Sequence, residues 1–212
     1  YKRQNFNILV LFEQGFGDYL HFYRYLEPLL SLGHKITALG ANKSVFSLLK
    51  YANNSHLIRF SSKLENEEVE QFDYKTFTMN IPFLLGHYNN TPPPPKFNLK
   101  KLKKDKKELN NKIKRILASE KKNIGISWKG NKEHIADISR SIDLTIFSKI
   151  FKNQNCQFFA VDKNLTKRDK KYLQKFQNVV ICDELIDDWA DTAVIVLQLD
   201  ELLTVDTSLA HI

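Results

Sequence analysis

At 212 residues, with 42% hydrophobic and 12% aromatic residues, the chain has ample sequence for the core of one large or two small α/β domains. Its 7 glycines and 6 prolines exclude fibrous and linker-like classes, and no apolar run approaches the ~18 residues of a membrane span. The net charge of +8 raises nucleic acid as a partner, yet nine Lys or Arg between Lys100 and Arg115 carry nearly all of it. Leu109, Ile113, Ile116 and Leu117 give that run helical spacing, so it reads as a helix with a solvated basic face. A nucleic-acid groove would spread its cations over several elements, and no nucleic-acid partner is expected. Phosphate or membrane contact is the minor option for this run.

In chain order, Asn7 to Phe12 is an apolar, β-prone run that leads straight into Glu13-Gln14-Gly15-Phe16-Gly17-Asp18. Tyr19, Phe22, Tyr23, Leu26, Leu29 and Leu30 then fall on one helix face. Strand, glycine turn, helix is the entry unit of an open α/β domain, whose ligands bind beyond the carboxyl ends of the strands. Gln14, Gly15 and Gly17 form the loop at that edge. The two glycines are expected to turn the backbone tightly and admit a ligand close to it. Leu20 stands where a dinucleotide fingerprint has its third glycine, so an ordinary dinucleotide site is not expected. Asp18 reads either as a site carboxylate or as the N-cap of the helix.

Pro28 predicts a kink or an early end to this helix, and Leu32-Gly33-His34 a helix stop. Lys35 to Leu39 reads as a strand, Asn42 to Tyr51 as a helix, His56 to Phe60 as a strand, and Phe72 to Met79 as a strand. Helix alternating with strand predicts a parallel sheet. Four consecutive prolines, Pro92 to Pro95, punctuate the chain as a stiff extended segment. A second series follows: strand Asn123–Trp128, helix Leu144–Phe151, strand Gln157–Val161, helix Thr166–Phe176, strand Val179–Cys182, helix Asp188–Leu199 and strand Glu201–Val205. The expected organisation is a first domain over 1–95, a proline segment and basic linker helix over 96–118, and a second domain over 119–212. The chain opens on Tyr1 and stops just after a helix-cap cluster, Asp206-Thr207-Ser208. It is therefore read as a piece of a longer protein, with the second domain incomplete.

Cys156 and Cys182 lie far apart in apolar segments and read as two buried thiols. Asp187, Asp188 and Asp191 imitate a metal cluster but flank a helix start, where they are expected to cap it. No metal site is expected. His21, His134 and His211 are weak candidates. Trp128 reads as packing.

The stretches EQGFGDYLHFYRYL (13–26), IGISWKGN (124–131), RSIDL (140–144), DDWADTA (187–193) and VDTSLAHI (205–212) resemble, in order and spacing, the glycosyltransferase-like region of bacterial TPR-repeat proteins. That family is related to the ADP-heptose heptosyltransferases, and the resemblance covers essentially the whole chain. It implies an α/β fold of two Rossmann-like parallel-sheet domains, the GT-B layout, with the two strand-end loops on opposite sides of one cleft. Asp18 matches the carboxylate thought to act as base for the acceptor hydroxyl. Ser127, Lys129, Arg140, Asp206, Thr207 and Ser208 match the donor side. Arg140 occupies the place of a phosphate-binding lysine, and a guanidinium suits a diphosphate because it donates two parallel hydrogen bonds. The strand-end turn at Asp206-Thr207-Ser208 suits an anion or a sugar.

The implied activity is metal-independent, inverting transfer of a sugar from a nucleotide-diphosphate sugar to a glycan or protein acceptor, with no cofactor. TPR helices are the implied flanking partners. The implied location is cytoplasmic, with peripheral placement at the inner membrane face as an option. The alternative is a degenerate module of the same fold that binds glycan or protein without catalysis.

Overall fold

A computed structural model describes residues 5–40, 43–87, 93–94, 96–130 and 137–212. Asn42, Pro92, Pro95, Asn131 and His134, which figure in the sequence reading, lie outside the described residues. The chain divides into two compact units, Tyr1–Lys101 and Leu102–Ile212.

The first unit is built on strands β1 (Asn7–Phe12), β2 (Lys35–Gly40), β3 (Ile58–Ser61) and β4 (Tyr74–Phe77). They form one parallel sheet in the order β3-β2-β1-β4. β1 is a continuous apolar run because it is paired on both sides and covered on both faces; Leu9 and Val10 are fully buried. β4 is an edge strand, and its alternation is correspondingly exposed.

The helix after β1 is broken in two: α1 (Phe16–Phe22) and α2 (Leu26–Ser31), joined by a 3₁₀ turn over Tyr23–Tyr25. Pro28 sits in the first turn of α2, where its missing N–H costs nothing, and the break falls just before it. The stop at Gly33 is a Schellman motif. Gly33 adopts φ +92°, its N–H bonds the Leu30 carbonyl at 2.9 Å, and the His34 N–H bonds that of Leu29 at 3.3 Å. Among the described residues the unit has three further α-helices, α3 (Lys43–Leu49), α4 (Asn66–Glu70) and α5 (Ile81–Leu84).

The basic run forms two helices, α6 (Leu99–Asp105) and α7 (Lys107–Ile116), and the division between the units falls inside α6. α7 is part of the second unit's body. Ile113 is fully buried in a cluster with Phe159, Val161, Cys182, Ile186, Ile195 and Leu209, while Lys107, Lys112, Lys114 and Arg115 stay exposed. The amphipathic pattern therefore buries one face in the core and leaves the charge in solvent.

The second unit's sheet runs β7-β6-β5-β8, again all parallel, from β5 (Lys122–Ser127), β6 (Cys156–Ala160), β7 (Val179–Ile181) and β8 (Glu201–Thr204). Its helices are α8 (Asp137–Arg140), α9 (Leu144–Phe147), α10 (Lys167–Leu173) and α11 (Trp189–Val196). The expected helix over 144–151 continues past α9 as a 3₁₀ segment, Ser148–Lys152, and the chain's last turn, Ser208–His211, is also 3₁₀. The two sheets are separate, as expected of two Rossmann-like domains. Cys156 and Cys182 are both free and buried, and burial pushes the Cys182 thiol up to about 12.

Candidate functional site

Each unit presents candidate residues at the carboxyl end of its sheet. In the first, β1 delivers the chain into α1, and Tyr19 fixes the junction. Its hydroxyl donates to the Phe12 carbonyl at 2.6 Å, and its ring meets that of Phe12 edge-on at 4.8 Å. Gly40, at the end of β2, is required here, since a Cβ would lie 2.7 Å from the Tyr19 hydroxyl.

Gly15, not Asp18, is the N-cap of α1. Asp18 lies one turn in, and its Oδ2 accepts the Gly15 N–H at 3.1 Å. The N-cap alternative for Asp18 is thus corrected: it is the half-buried N3 residue, whose carboxylate reaches back to the N-cap N–H. Gly15 has φ −75° and Gly17 is helical, so neither needs a left-handed backbone. Their smallness leaves an open approach to the loop, along which Glu13, Gln14 and Gly15 are exposed. Glu13 is anchored by the Thr78 hydroxyl, which donates to its Oε2 at 3.0 Å.

In the second unit five of the six expected donor-side residues cluster at the ends of the paired strands β5 and β8. Ser127 is opposite Thr204 in register, and the Val205 N–H donates to the Ser127 carbonyl at 3.1 Å. The Thr207 hydroxyl lies 3.2 Å from that of Thr204, and Ser208 opens the 3₁₀ turn. Arg140 reaches this edge because the segment behind it is tied to the end of β5. The Ile142 N–H donates to the Trp128 carbonyl at 2.8 Å, and the Gly130 N–H to the Ser141 hydroxyl at 2.9 Å. Arg140 Nη1 then donates to the Asp206 carbonyl at 3.3 Å. The guanidinium, the Thr207 hydroxyl and the Asp206 backbone thus stand together at one strand end.

Lys129 is placed differently. Its ammonium is ion-paired with Asp169 at 2.5 Å and lies 5.5 Å from the Trp128 ring centroid. Asp169 belongs to the capping box of α10, in which its carboxylate also accepts the Thr166 N–H at 3.2 Å. Trp128 is buried in the core beside Phe147, in keeping with a packing role. Among the described residues no group of three or more His, Cys, Asp and Glu could hold a metal ion. Asp188 is the N-cap of α11 and Asp191 its capping-box partner, and Lys106 bridges both, at 3.3 and 2.8 Å.

Sequence reasoning missed Asp162. It lies two residues past the end of β6, and its Oδ1 accepts the Ser127 hydroxyl at 2.7 Å. Its Oδ2 is buried and has no hydrogen-bond partner among the described residues. Burial raises its carboxyl to about 6, against the opposing pull of the Ser127 hydrogen bond and the Lys129 ammonium. The signal was present: a carboxylate at a strand end, the same reasoning that selected Asp206.

Two parallel four-stranded sheets, each carrying polar residues at its carboxyl edge, define a protein of the GT-B-like α/β class. The fold is shared with the crystal structure described as the glycosyl transferase family 9 from Veillonella parvula DSM 2008. The two superpose with a TM-score of 0.61 at 11% sequence identity, over 100% of this chain and 78% of that one. No protein-family model and no curated protein matches the sequence.

Proposed function

We propose that the chain is a glycosyltransferase unit that transfers a sugar from a nucleotide-diphosphate sugar to a glycan or protein acceptor, with inversion and without a metal. The observation that carries this reading is the Arg140–Asp206–Thr207 grouping at the β5/β8 edge, in a fold shared with a glycosyl transferase family 9 protein. In this reading Arg140 meets the diphosphate and the charge that grows on it as the glycosidic bond breaks. Thr207 and Ser208 supply hydroxyl contacts and Asp206 takes sugar hydroxyls, while Ser127, buried and bonded to Asp162, positions the strand end. Lys129, paired with Asp169, positions the end of β5. Asp18 accepts the proton of the acceptor hydroxyl as that oxygen attacks the sugar carbon. Gln14, Gly15 and Gly17 form the acceptor-side loop. Flanking TPR helices and a cytoplasmic or inner-membrane-face location complete the proposal.

One observation favours the alternative of a binding module: one oxygen of Asp18 is already engaged by its own helix. Turnover separates the two readings. Nucleotide sugars should bind the chain and, with a suitable acceptor, be consumed. In Asp18→Asn binding should survive while turnover drops by about 10²–10⁴-fold, as for loss of a general base. Binding without turnover in the wild type, over a broad acceptor panel, selects the module.

A further inference from the structure

At the β5/β6 edge the Ser127 hydroxyl is committed to one oxygen of Asp162, and the other oxygen is enclosed with no donor among the described residues. An enclosed carboxylate oxygen without a donor leaves its charge poorly compensated, whereas the protonated acid needs no such compensation. The charged groups acting on it are the Lys129 ammonium at the end of β5, which favours the anion, and the Asp169 carboxylate on α10, which opposes it. Lys129 is itself neutralised by Asp169 at 2.5 Å, so its help to Asp162 is diluted. Arg140, Asp206 and His211 belong to the neighbouring β8 side of the same sheet edge.

We propose that Asp162 is a proton-coupled positioning residue, which takes one proton from solvent when a diphosphate binds at the end of β5. This rests on the donor reading above. Bringing a further negative charge to this edge raises the cost of an ionised Asp162, and protonation removes the repulsion while leaving Oδ1 to accept from Ser127. Because burial raises the carboxyl to about 6 in the free protein, the effect operates around and above that pH. Donor binding therefore strengthens as pH falls, by up to about tenfold per unit for one coupled proton, and levels off once Asp162 is protonated in the free protein.

The test uses the full chain with UDP-glucose, ADP-glucose and GDP-mannose, whose diphosphate diesters do not titrate between about pH 5.5 and 8. Calorimetry in two buffers of different ionisation enthalpy should show close to one proton taken up per ligand at about pH 7.5. Asp162→Asn imitates the protonated acid, since its amide oxygen can accept from Ser127. It should bind more tightly than the wild type at pH 8 with a flat profile. Should the variant fail to fold, the wild-type proton uptake still decides. Wild-type binding without proton uptake overturns the proposal and leaves the donor reading standing. A pH dependence that persists in Asp162→Asn assigns it elsewhere and also overturns the proposal. Absence of binding by all three ligands at millimolar concentration removes the donor reading, and this inference with it.

Discussion

Among single residues, Asp162 carries the clearest energetic signature. Its folded-state carboxyl is raised to about 6 from an ordinary value of 3.8, chiefly by burial. The sign follows from proton linkage: the folded protein holds this proton more tightly than the unfolded chain does. Its contribution is fully present below about pH 4 and is lost as pH rises through about 6. Urea unfolding of Asp162→Asn and wild type should therefore differ little near pH 4. At pH 7.5 the variant should gain up to about 2–3 kcal/mol on the wild type, at about 1.4 kcal/mol per pH unit. A difference independent of pH would mean that Asp162 is not the strained acid described. Other residues in the resembling motifs have structural work. In RSIDL, Asp143 caps α9 by accepting the Thr145 N–H at 2.8 Å; in DDWADTA, Asp188 and Asp191 cap α11. Local spacing showed a cap near Asp18 but not which residue supplied it, because glycine at Gly15 is a permissible N-cap without a side-chain signal.

At the level of elements, the eight strands among the described residues were legible, within a residue or two, because each is a short β-prone run set off from its neighbours by turn or helix signals. Helices were legible in place but not in kind. The 3₁₀ breaks at Tyr23–Tyr25 and Ser148–Lys152 depend on how each helix settles on its sheet, which periodicity does not encode. The packing of α7 was hidden for a related reason: a basic run looks solvated whichever way its apolar stripe faces. Two substitutions tell its faces apart. Charge reversal at the exposed Lys104 and Lys107 should leave stability within about 0.5 kcal/mol and donor binding unchanged. Ile113→Ala should cost about 2–5 kcal/mol, since its side chain fills the cluster between α7 and the sheet. Lys106 differs from its neighbours. Burial alone would lower its ammonium pKa, but Asp191 and Asp188 outweigh that and hold it raised. Lys106→Ala leaves the buried Asp191 without its cation, and should lower the unfolding midpoint where Lys104→Ala does not.

On the scale of the whole molecule, the chain is two Rossmann-like units with the same parallel logic, each ending its inner strand at polar residues. The class of fold could be read from alternating strand and helix, while the partnership of Ser127 with Asp162 could not, because parallel pairing joins residues 35 apart in sequence. The Arg140–Asp206–Thr207 grouping in the second unit carries the proposed donor site, and Arg140 brings its positive charge. Saturation-transfer difference NMR of the full chain with a panel of nucleotide sugars, run in parallel on wild type and Arg140→Ala, tests it most directly. Transfer to at least one nucleotide sugar is expected in the wild type, with an affinity weakened by about 1.5–3 kcal/mol in Arg140→Ala, the range for a charge-assisted hydrogen bond. Equal affinity in both proteins, or no transfer to any nucleotide sugar at millimolar concentration, would contradict it.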